Sequence, residues 1–393
     1  MKKILLITKQ KSGGGGFKSS REFANALKVS ENNSIQFFTE EEACKNKFVL
    51  IKISIFNLIN KYAKVFYGKK NNKITNTIPQ IFKCLEHEKY SPNIILTHYI
   101  YEFLSLRDIV LFKKPILIFI NDMWFFSGIK HFFKNSLNKK PKINKFTFFE
   151  ILNYFSWLFK NKYLSQNKKI IFVASSEWLK KKAIKSYMLK NHKIEKINTP
   201  VDIKFWKKLT KNKCRLKLGL PLNKKLLLFV AKGGFNNYRK GGDIFLNIIN
   251  YYRDNDSINF VILGQKSQNT KKSFFFDIRE NEKKLRNLYN AVDLVFCLSR
   301  HENIPYSMIE SMSCGVPNVS IDVGGVKEAI VHKKNGWILK KTDKESIKKS
   351  LNWCLSKKNY PNLSKNSTTH IHRNFSYDKI LSDYNNLQKK NKL

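Results

Sequence analysis

The order of apolar segments in this sequence predicts an α/β protein with two parallel sheets. Short apolar runs suited to buried strands alternate with stretches of helical period, a pattern typical of a parallel sheet covered by helices on both faces. This alternation occurs in two successive series along the chain. At 393 residues the chain is long enough for two domains of ordinary size, and 42% hydrophobic residues are sufficient for two cores.

The apolar runs place four strands in each series. The first series comprises Lys3–Ile7, Asn93–Leu96, Ile116–Ile120 and Ile170–Ala174, and the second comprises Leu226–Val230, Asn259–Leu263, Leu294–Leu298 and Val319–Ile321. A glycine run at residues 12–16 follows the first strand, and a helix is expected from about Ser19 to Lys28. Glycine there lets backbone approach a ligand at the start of a helix, but a flexible surface turn explains the run equally well.

The cysteines and the apolar runs of the sequence bear on where the protein is located. The six cysteines show no C-x-x-C or zinc-ligand spacing, and several lie in apolar stretches, so we expect reduced core thiols in a cytosolic protein. The apolar run Ile4–Ile7 has no small-residue cleavage site after it and is typical of a first strand rather than a signal peptide. No uncharged apolar stretch reaches the roughly 18 residues needed to cross a bilayer. A cytoplasmic protein, free or peripheral on the inner face of the cytoplasmic membrane, is therefore expected.

The net charge of +45 has three candidate causes. A composition rich in lysine and asparagine, together with attraction to an anionic membrane surface, ranks first. Nucleic-acid binding ranks well behind, because the lysines are spread from end to end and no RRM, KH, zinc-finger or helix-turn-helix signature is present. The segment Phe146–Leu164 is rich in aromatic residues and bordered by lysines. It suits a helix at a lipid interface, although a helix packed on its own domain is the more common case.

The stretch Glu302–Gly336 carries most of the functional information. It predicts a loop, a helix, a short strand, a glycine turn and a second helix, with Asn303 as the cap of the first helix and Pro305 in its first turn. A helix start favours a phosphate or diphosphate, and Glu310 in the second turn suits a pair of ribose hydroxyls. Together with Glu302 this suits a nucleoside diphosphate sugar. Two solvent-facing glutamates on an ordinary αβ unit explain the spacing equally well.

The stretch resembles the donor-binding signature of the family 4 retaining glycosyltransferases, in the branch with Glu-Asn-x-Pro found in colanic-acid, O-antigen and other exopolysaccharide pathways. Other segments resemble the family in the same order along the chain. They are residues 121–128, 173–178, 198–202, Leu226–Val230 with 239–242, and 281–293 with Leu294–Leu298.

The resemblance implies the GT-B fold, in which two Rossmann-like domains have parallel sheets that face a central cleft. It implies an acceptor-side domain at residues 1–203, a nucleotide-sugar-binding domain at 204–373, and a C-terminal helix at 374–393 that crosses back to the first domain. That final helix is expected over Phe375–Leu387. The implied reaction moves a sugar, with retention, from a nucleoside diphosphate sugar to a lipid-linked glycan acceptor in cell-surface polysaccharide biosynthesis.

The resemblance also implies roles for individual residues. Lys240 neutralises the leaving diphosphate, Glu302 holds the transferred sugar and Glu310 holds the ribose. Further donor contacts are assigned to Arg239, Lys232, Asn303, Ile304, Pro305, Tyr306, Ser307, Gly15 and Gly16, and the acceptor and sugar side to His98, Asn121, Asp122 and Trp124. For His98 and Trp124, a satisfied polar group and a core side chain remain alternatives. No Asp-x-Asp motif in a suitable context is present, so no metal and no cofactor beyond the donor co-substrate are expected.

Two departures from the family pattern keep rival functions open. Lys232 stands where the family has arginine, and lysine lacks the guanidinium group that can bind two phosphate oxygens at once. Asn121 replaces a histidine that contacts the donor sugar in relatives. One rival is a non-catalytic GT-B protein that binds a nucleotide sugar or a partner enzyme. The other is a basic nucleic-acid-binding protein. Neither rival accounts for Glu302, Glu310 and Lys240 together.

Overall fold

The computed structural model describes residues 1–9, 15–43, 51, 91–100, 106–110, 112–132, 138–143, 147–166, 170–277 and 281–393. The chain divides into two compact units. The first unit contains Met1–Pro200 together with Tyr377–Leu393, and the second contains Val201–Ser376. The predicted boundaries lie after residues 203 and 373.

Each unit is built on one sheet of six parallel strands, as the α/β pattern predicts. The strands, in chain order, are β1 Lys2–Thr8, β2 Asn33–Phe38, β3 Ile94–His98, β4 Ile116–Ile120, β5 Ile170–Ala174, β6 Lys193–Lys196, β7 Lys225–Val230, β8 Ile258–Leu263, β9 Ser273–Phe276, β10 Leu294–Cys297, β11 Asn318–Ile321 and β12 Gly336–Leu339. The order is β2-β1-β3-β4-β5-β6 in the first sheet and β12-β11-β10-β7-β8-β9 in the second.

Helices lie between the strands. In chain order they are α1 Gly15–Lys28, α2 Glu40–Ala43, α3 Leu106–Val110, α4 Phe148–Gln166, α5 Glu177–Ile184, α6 Lys211–Lys217, α7 Gly242–Tyr251, α8 Glu282–Ala291, α9 Tyr306–Ser313, α10 Val326–Ala329, α11 Lys344–Cys354, α12 Tyr360–Phe375 and α13 Tyr377–Asn391. None of the helices in the described ranges is long and apolar enough to cross a membrane.

Two helix starts differ from the predictions. Helix α1 begins at Gly15 rather than Ser19, because Phe17 is a buried anchor and the first turn of a helix tolerates glycine. Helix α13 begins at Tyr377 rather than Phe375. Phe375 instead ends α12, and Ser376 is extended and forms a bridge with Val201.

The first sheet is buried on both faces, which explains why its inner strands are continuously apolar. Alternate residues on one face of the sheet, such as Leu5 and Ile95, pack in a core that contains Trp157 and Leu164 of α4. Residues on the opposite face, such as Ile4 and Leu6, pack against α1 and α13, where Phe23 and Tyr384 are almost wholly buried. Helix α13 therefore completes the core of the first unit.

Helix α4 is only partly covered. Trp157 and Leu164 are buried, whereas Phe148 and Phe155 are more than half exposed. The proposed interfacial segment thus has one packed side and one open side, and Phe146 lies outside the described residues. Four of the cysteines, namely Cys214, Cys297, Cys314 and Cys354, are buried free thiols as expected, and Cys44 and Cys84 lie outside the described ranges.

Candidate functional site

The strand order of the second sheet reverses between β7 and β10, which lie side by side at its centre. Ligands of parallel α/β sheets bind where the strand order reverses, beyond the carboxyl ends of the strands. Two segments follow these strands: residues 231–241 after β7, here the Lys240 loop, and residues 298–305 after β10, here the Glu302 loop. The sequence-predicted donor residues of this unit lie on these two loops and on α9.

The two loops are held together by backbone contacts. The Arg300 amide donates to the Arg239 carbonyl at 2.8 Å, and Nη1 of Arg239 donates to the His301 carbonyl at 3.1 Å. Gly241 ends the Lys240 loop with φ of +79°, and a Cβ there would lie 2.2 Å from the Leu298 carbonyl oxygen. Only glycine satisfies both the dihedral angle and the close approach.

The two predicted catalytic residues form an ion pair. Nζ of Lys240 hydrogen-bonds to Oε2 of Glu302, and Nη1 of Arg239 lies 3.6 Å from the same oxygen. Burial alone would raise the pKa of Glu302, but Lys240 and then Arg239 outweigh it and hold that pKa below its ordinary value. Glu302 is therefore an ionised acceptor with two cations beside it.

Helix α9 begins later than predicted. Pro305 occupies the N-cap position and makes no side-chain cap bond, so the predicted cap role of Asn303 is wrong. Asn303 is instead held in the preceding loop, where its carbonyl accepts from the Gly325 amide at 3.1 Å and its own amide donates to Oε1 of Glu302 at 3.3 Å. Pro305 has no N–H and cannot donate to a phosphate. Ile304 is buried, and Tyr306 and Ser307 are half-buried in the first turn.

Glu310 is not solvent-facing. It is 2% exposed in the second turn of α9, and the hydroxyl of Tyr289 on α8 donates to its Oε2 at 3.1 Å. Burial, and then the Glu310 charge, raise the pKa of Tyr289, so this tyrosine stays a neutral donor. Since Glu302 is also largely buried, the alternative of two solvent-facing glutamates is wrong. Tyr289 was missed by the sequence analysis, because nothing in its own segment marks it.

Lys232 lies near the start of the Lys240 loop with an exposed side chain, and its carbonyl accepts from Nδ2 of Asn237 at 2.8 Å. In the first unit, Gly15 and Gly16 form the first turn of α1, and the earlier glycines of the run lie outside the described residues. Their donor role stays a prediction.

His98 is a core residue in this structure. It is 1% exposed at the end of β3, and its ring stacks on Phe119 at 4.1 Å with an interplanar angle of 14°. Burial lowers its pKa to about 3. Among the described residues neither ring nitrogen has a hydrogen-bond partner. The alternative of a satisfied polar group is therefore wrong within the described ranges, and the acceptor-side role of His98 stays a prediction.

Asp122 and Trp124 are likewise buried, and their predicted acceptor-side role stays a prediction. Oδ2 of Asp122 lies 2.6 Å from Nδ1 of His131, and its Oδ1 accepts from the Trp124 amide at 3.0 Å. Trp124 is wholly buried, and Nζ of Lys160 lies 3.4 Å from its ring centroid. The core alternative for Trp124 is the one the structure supports. Asn121 precedes this cluster and is half-buried.

Lys160 and His131 are the residues of this cluster that the sequence analysis missed. Nζ of Lys160 donates to the carbonyls of Trp124 and Gly128 at 2.6 and 2.7 Å. Burial holds the pKa of Lys160 well below its ordinary value, against the opposing charge of Asp122. A lysine in an aromatic-rich helix gives no sign in sequence that its amine faces inward.

Parts of this sequence resemble known proteins. Residues 210–370 match the family model described as "Glycosyl transferases group 1". A curated protein, N-acetyl-alpha-D-glucosaminyl L-malate synthase of Bacillus anthracis, is 27% identical over 93 residues, which cover 23% of this chain and 24% of that protein. The chain thus matches about a quarter of the length of this curated relative.

Solved structures align over nearly the whole chain. Sucrose-phosphate synthase from Thermosynechococcus elongatus covers 99% of both chains with a TM-score of 0.68 and 14% identity. A glycosyltransferase from Rickettsia africae covers 99% of this chain and 98% of its own, with a TM-score of 0.65 and 16% identity. Alr3699/HepE of Anabaena, solved with UDP, covers 99% of this chain and 100% of its own, with a TM-score of 0.62 and 13% identity. These likenesses confirm the predicted GT-B fold, and residues 210–370 form a glycosyl transferases group 1 domain within it.

Proposed function

We propose that this protein is a retaining glycosyltransferase that moves a sugar from a nucleoside diphosphate sugar to a lipid-linked glycan acceptor in cell-surface polysaccharide biosynthesis. The observation that carries the proposal is the meeting of Lys240, Arg239 and Glu302 beyond the centre of the second sheet. Glu310 lies on the adjoining helix, and the whole set falls inside the group 1 domain.

In this mechanism the cations act on the diphosphate. Lys240 and Arg239, with Lys232 from the start of the same loop, bind the phosphate oxygens and stabilise the charge that develops as the bond from the sugar C1 to the diphosphate breaks. The new bond from C1 to an acceptor hydroxyl oxygen forms on the same face of the sugar. The proton of that hydroxyl passes to a leaving phosphate oxygen, and no protein nucleophile takes part.

The two glutamates act on hydroxyl groups. Glu302 accepts hydrogen bonds from the transferred sugar once Lys240 turns to the diphosphate. Glu310 accepts from the ribose while Tyr289 holds its other oxygen in place. Carboxylates suit both tasks because an ionised carboxylate is an acceptor only, and sugar hydroxyls can donate.

The donor class can be tested by melting temperature. UDP, GDP and ADP, and their sugars, are the probes, and UDP comes first because HepE of Anabaena was solved with UDP and with UDP-glucose. A rise of several degrees with one nucleotide is expected, since a ligand that binds only the folded state stabilises it. Steeply salt-dependent binding to DNA or RNA, with no response to any nucleotide, would favour a basic nucleic-acid-binding protein instead.

Catalysis is tested by replacing Glu310 with glutamine, which keeps the shape of the buried side chain. Hydrolysis or transfer of the stabilising donor should fall at least about a hundredfold, because the neutral amide loses the charge-assisted bond to ribose. The surface variant Lys379→Met, on α13 of the first unit, is the matched control and should retain full activity. Nucleotide binding without any turnover in the wild-type protein would identify a non-catalytic binder.

We also propose that the open side of α4 contacts an anionic membrane surface that carries the acceptor. Phe148, Phe155 and Leu158 are exposed on this helix, and exposed Lys139, Lys140 and Lys142 precede it. Aromatic side chains bordered by lysines suit the interface of a bilayer with anionic head groups.

Sedimentation with vesicles tests this contact. The double replacement Phe148→Ser and Phe155→Ser should weaken binding to phosphatidylglycerol vesicles by about tenfold or more, because the two aromatic rings proposed to enter the bilayer interface are lost. Leu216→Ser is the matched control, since Leu216 is equally exposed but lies in the second unit. Equal loss in both variants would refute the role of α4.

A further inference from the structure

Arg300 connects the two loops of the candidate site through both its backbone and its side chain. Its guanidinium forms a two-pronged ion pair with Asp243, with Nη1 to Oδ1 at 2.8 Å and Nη2 to Oδ2 at 2.6 Å. Nη1 also donates to the Tyr238 carbonyl at 2.5 Å, and Cζ lies 3.5 Å from the centroid of the Tyr238 ring. Its amide donates to the Arg239 carbonyl.

These contacts fall on the residues next to Lys240. The carbonyls of Tyr238 and Arg239 both accept from Arg300, so one residue fixes the two positions that precede Lys240 in the chain. That part of the loop is a single 3₁₀ turn, Tyr238–Lys240, which Asn237 caps by accepting from the Lys240 amide at 3.0 Å. Hydrogen bonds in a 3₁₀ turn have poorer geometry than those of an α-helix, so contacts from outside the turn add to its stability. Arg300 therefore helps to fix the backbone that carries Lys240, while the Lys240 amine pairs with Glu302.

Arg300 also neutralises the carboxylate of Asp243, which lies close to the proposed diphosphate site. Asp243 lies in the first turn of α7, two residues after Gly241, at a helix start that otherwise attracts anions. The hydrogen bonds from Arg300 lower the pKa of Asp243, so it remains a carboxylate. Without Arg300, this negative charge would stand beside the loop that receives a diphosphate.

We propose that Arg300 is a positioning residue for the donor diphosphate, which holds the Lys240 loop in place and neutralises Asp243. The diphosphate part of this inference rests on the proposed function, whereas the hold on the loop does not. Lysine cannot replace arginine here, because one ammonium group cannot span both carboxylate oxygens and the Tyr238 carbonyl while it stacks on the ring.

Hydrogen exchange on the ligand-free full-length protein tests the hold on the loop. In Arg300→Met, the amides of residues 234–242 should exchange about tenfold faster, since the bonds to the Tyr238 carbonyl and to Asp243 are gone. Arg300→Lys should show most of the same increase although it keeps the charge. Amides of the strands β7 and β10 should be unchanged, and Lys379→Met serves as the control ion-pair variant.

The affinity for UDP separates the two effects of Arg300. Arg300→Met should weaken UDP binding by about tenfold, and Arg300→Lys by less, because lysine still offsets Asp243. Adding Asp243→Asn to Arg300→Met should restore part of the affinity by removing the uncompensated carboxylate, while loop exchange stays fast. A residue with only a structural role would not give this recovery.

Wild-type loop exchange and wild-type UDP affinity in Arg300→Met would overturn the inference. Equal affinities in Arg300→Met and the double variant would refute the neutralising role. If the wild-type protein binds none of UDP, GDP and ADP, the proposed function fails. The exchange data from the ligand-free variants would then still confirm or refute the hold of Arg300 on the loop.

Discussion

Replacing His98 with phenylalanine should make the first unit less sensitive to acid. His98 is buried between Phe119 and Phe23, whose ring centroids lie 4.1 and 5.2 Å from its own. Phenylalanine keeps a flat ring in this stack and removes the nitrogens that take up a proton. If His98 is a core residue, as its burial indicates, the replacement leaves acceptor binding intact and changes only the response to pH.

The magnitude follows from the two pKa values. An unfolded histidine binds its proton near 6.5, whereas burial lowers the pKa of folded His98 to about 3. Between these values the unfolded state binds one more proton, so the free energy of unfolding falls as the pH falls, by about 1.4 kcal/mol per pH unit. From pH 7.5 to pH 5.0 the contribution of His98 is a loss of about 2 kcal/mol. His98→Phe should lack this loss.

Hydrogen exchange of the β3 and β4 amides measures the stability of the first unit separately from that of the second. The acid-induced loss of stability should be smaller in His98→Phe than in the wild type by about 2 kcal/mol. An equal loss in both proteins would refute the burial argument. So would an NMR titration of ¹³C-labelled histidines in which the signal missing from His98→Phe titrates near pH 6.5 in the wild type.

Three further replacements test a close backbone approach and two buried polar contacts. Gly241→Ala should weaken UDP binding at least about tenfold, because φ is positive there and a methyl group would meet the Leu298 carbonyl; equilibrium dialysis measures this. Arg215→Met should destabilise the second unit by about 3 kcal/mol in urea unfolding, because Asp293 stays buried and keeps only Lys211 as an ion-pair partner. Lys160→Met should lower the free energy of unfolding of the first unit by about 2–4 kcal/mol in the same assay, since the carbonyls of Trp124, Ser127 and Gly128 each lose the hydrogen bond from Lys160.

The apolar runs predicted the inner strands of both sheets and missed the outer ones. The predicted strands correspond to β1, β3, β4, β5, β7, β8, β10 and β11, and in each sheet these occupy the inner positions. The missed strands, β2, β6, β9 and β12, are the sheet edges. An inner strand of a parallel sheet is covered on both faces and must be apolar throughout. An edge strand such as Lys193–Lys196 is partly exposed, and its sequence carries little of the strand signal.

The candidate site divides in a similar way. Glu302, Glu310 and Lys240 could be predicted because each lies in a local motif, and in the structure Glu302 and Lys240 form an ion pair. Arg300 and Tyr289 were not found, because each acts on a partner far away in sequence, 57 residues in the case of Asp243 and 21 in that of Glu310. Contacts of this kind depend on which strands lie side by side. The order of the strands is a property of the whole fold, and the sequence of a single segment does not predict it.

Because Lys240 and Glu302 form an ion pair, neither of these two partly buried charges is unpaired in the structure. Arg239 and Lys240 face one carboxylate, and Lys232 adds a third cation on the same loop, so the set has a net charge of about +2. This balances the two charges of a diphosphate. In the proposed mechanism, phosphate oxygens replace Glu302 on Lys240 while Glu302 gains sugar hydroxyls, so neither group would lose its compensation. Arg239, beside it, helps to keep Glu302 ionised. Under this proposal one exchange of partners serves both diphosphate and sugar. Since Lys240 and Glu302 also contact each other, we expect the effects of replacing them to be non-additive.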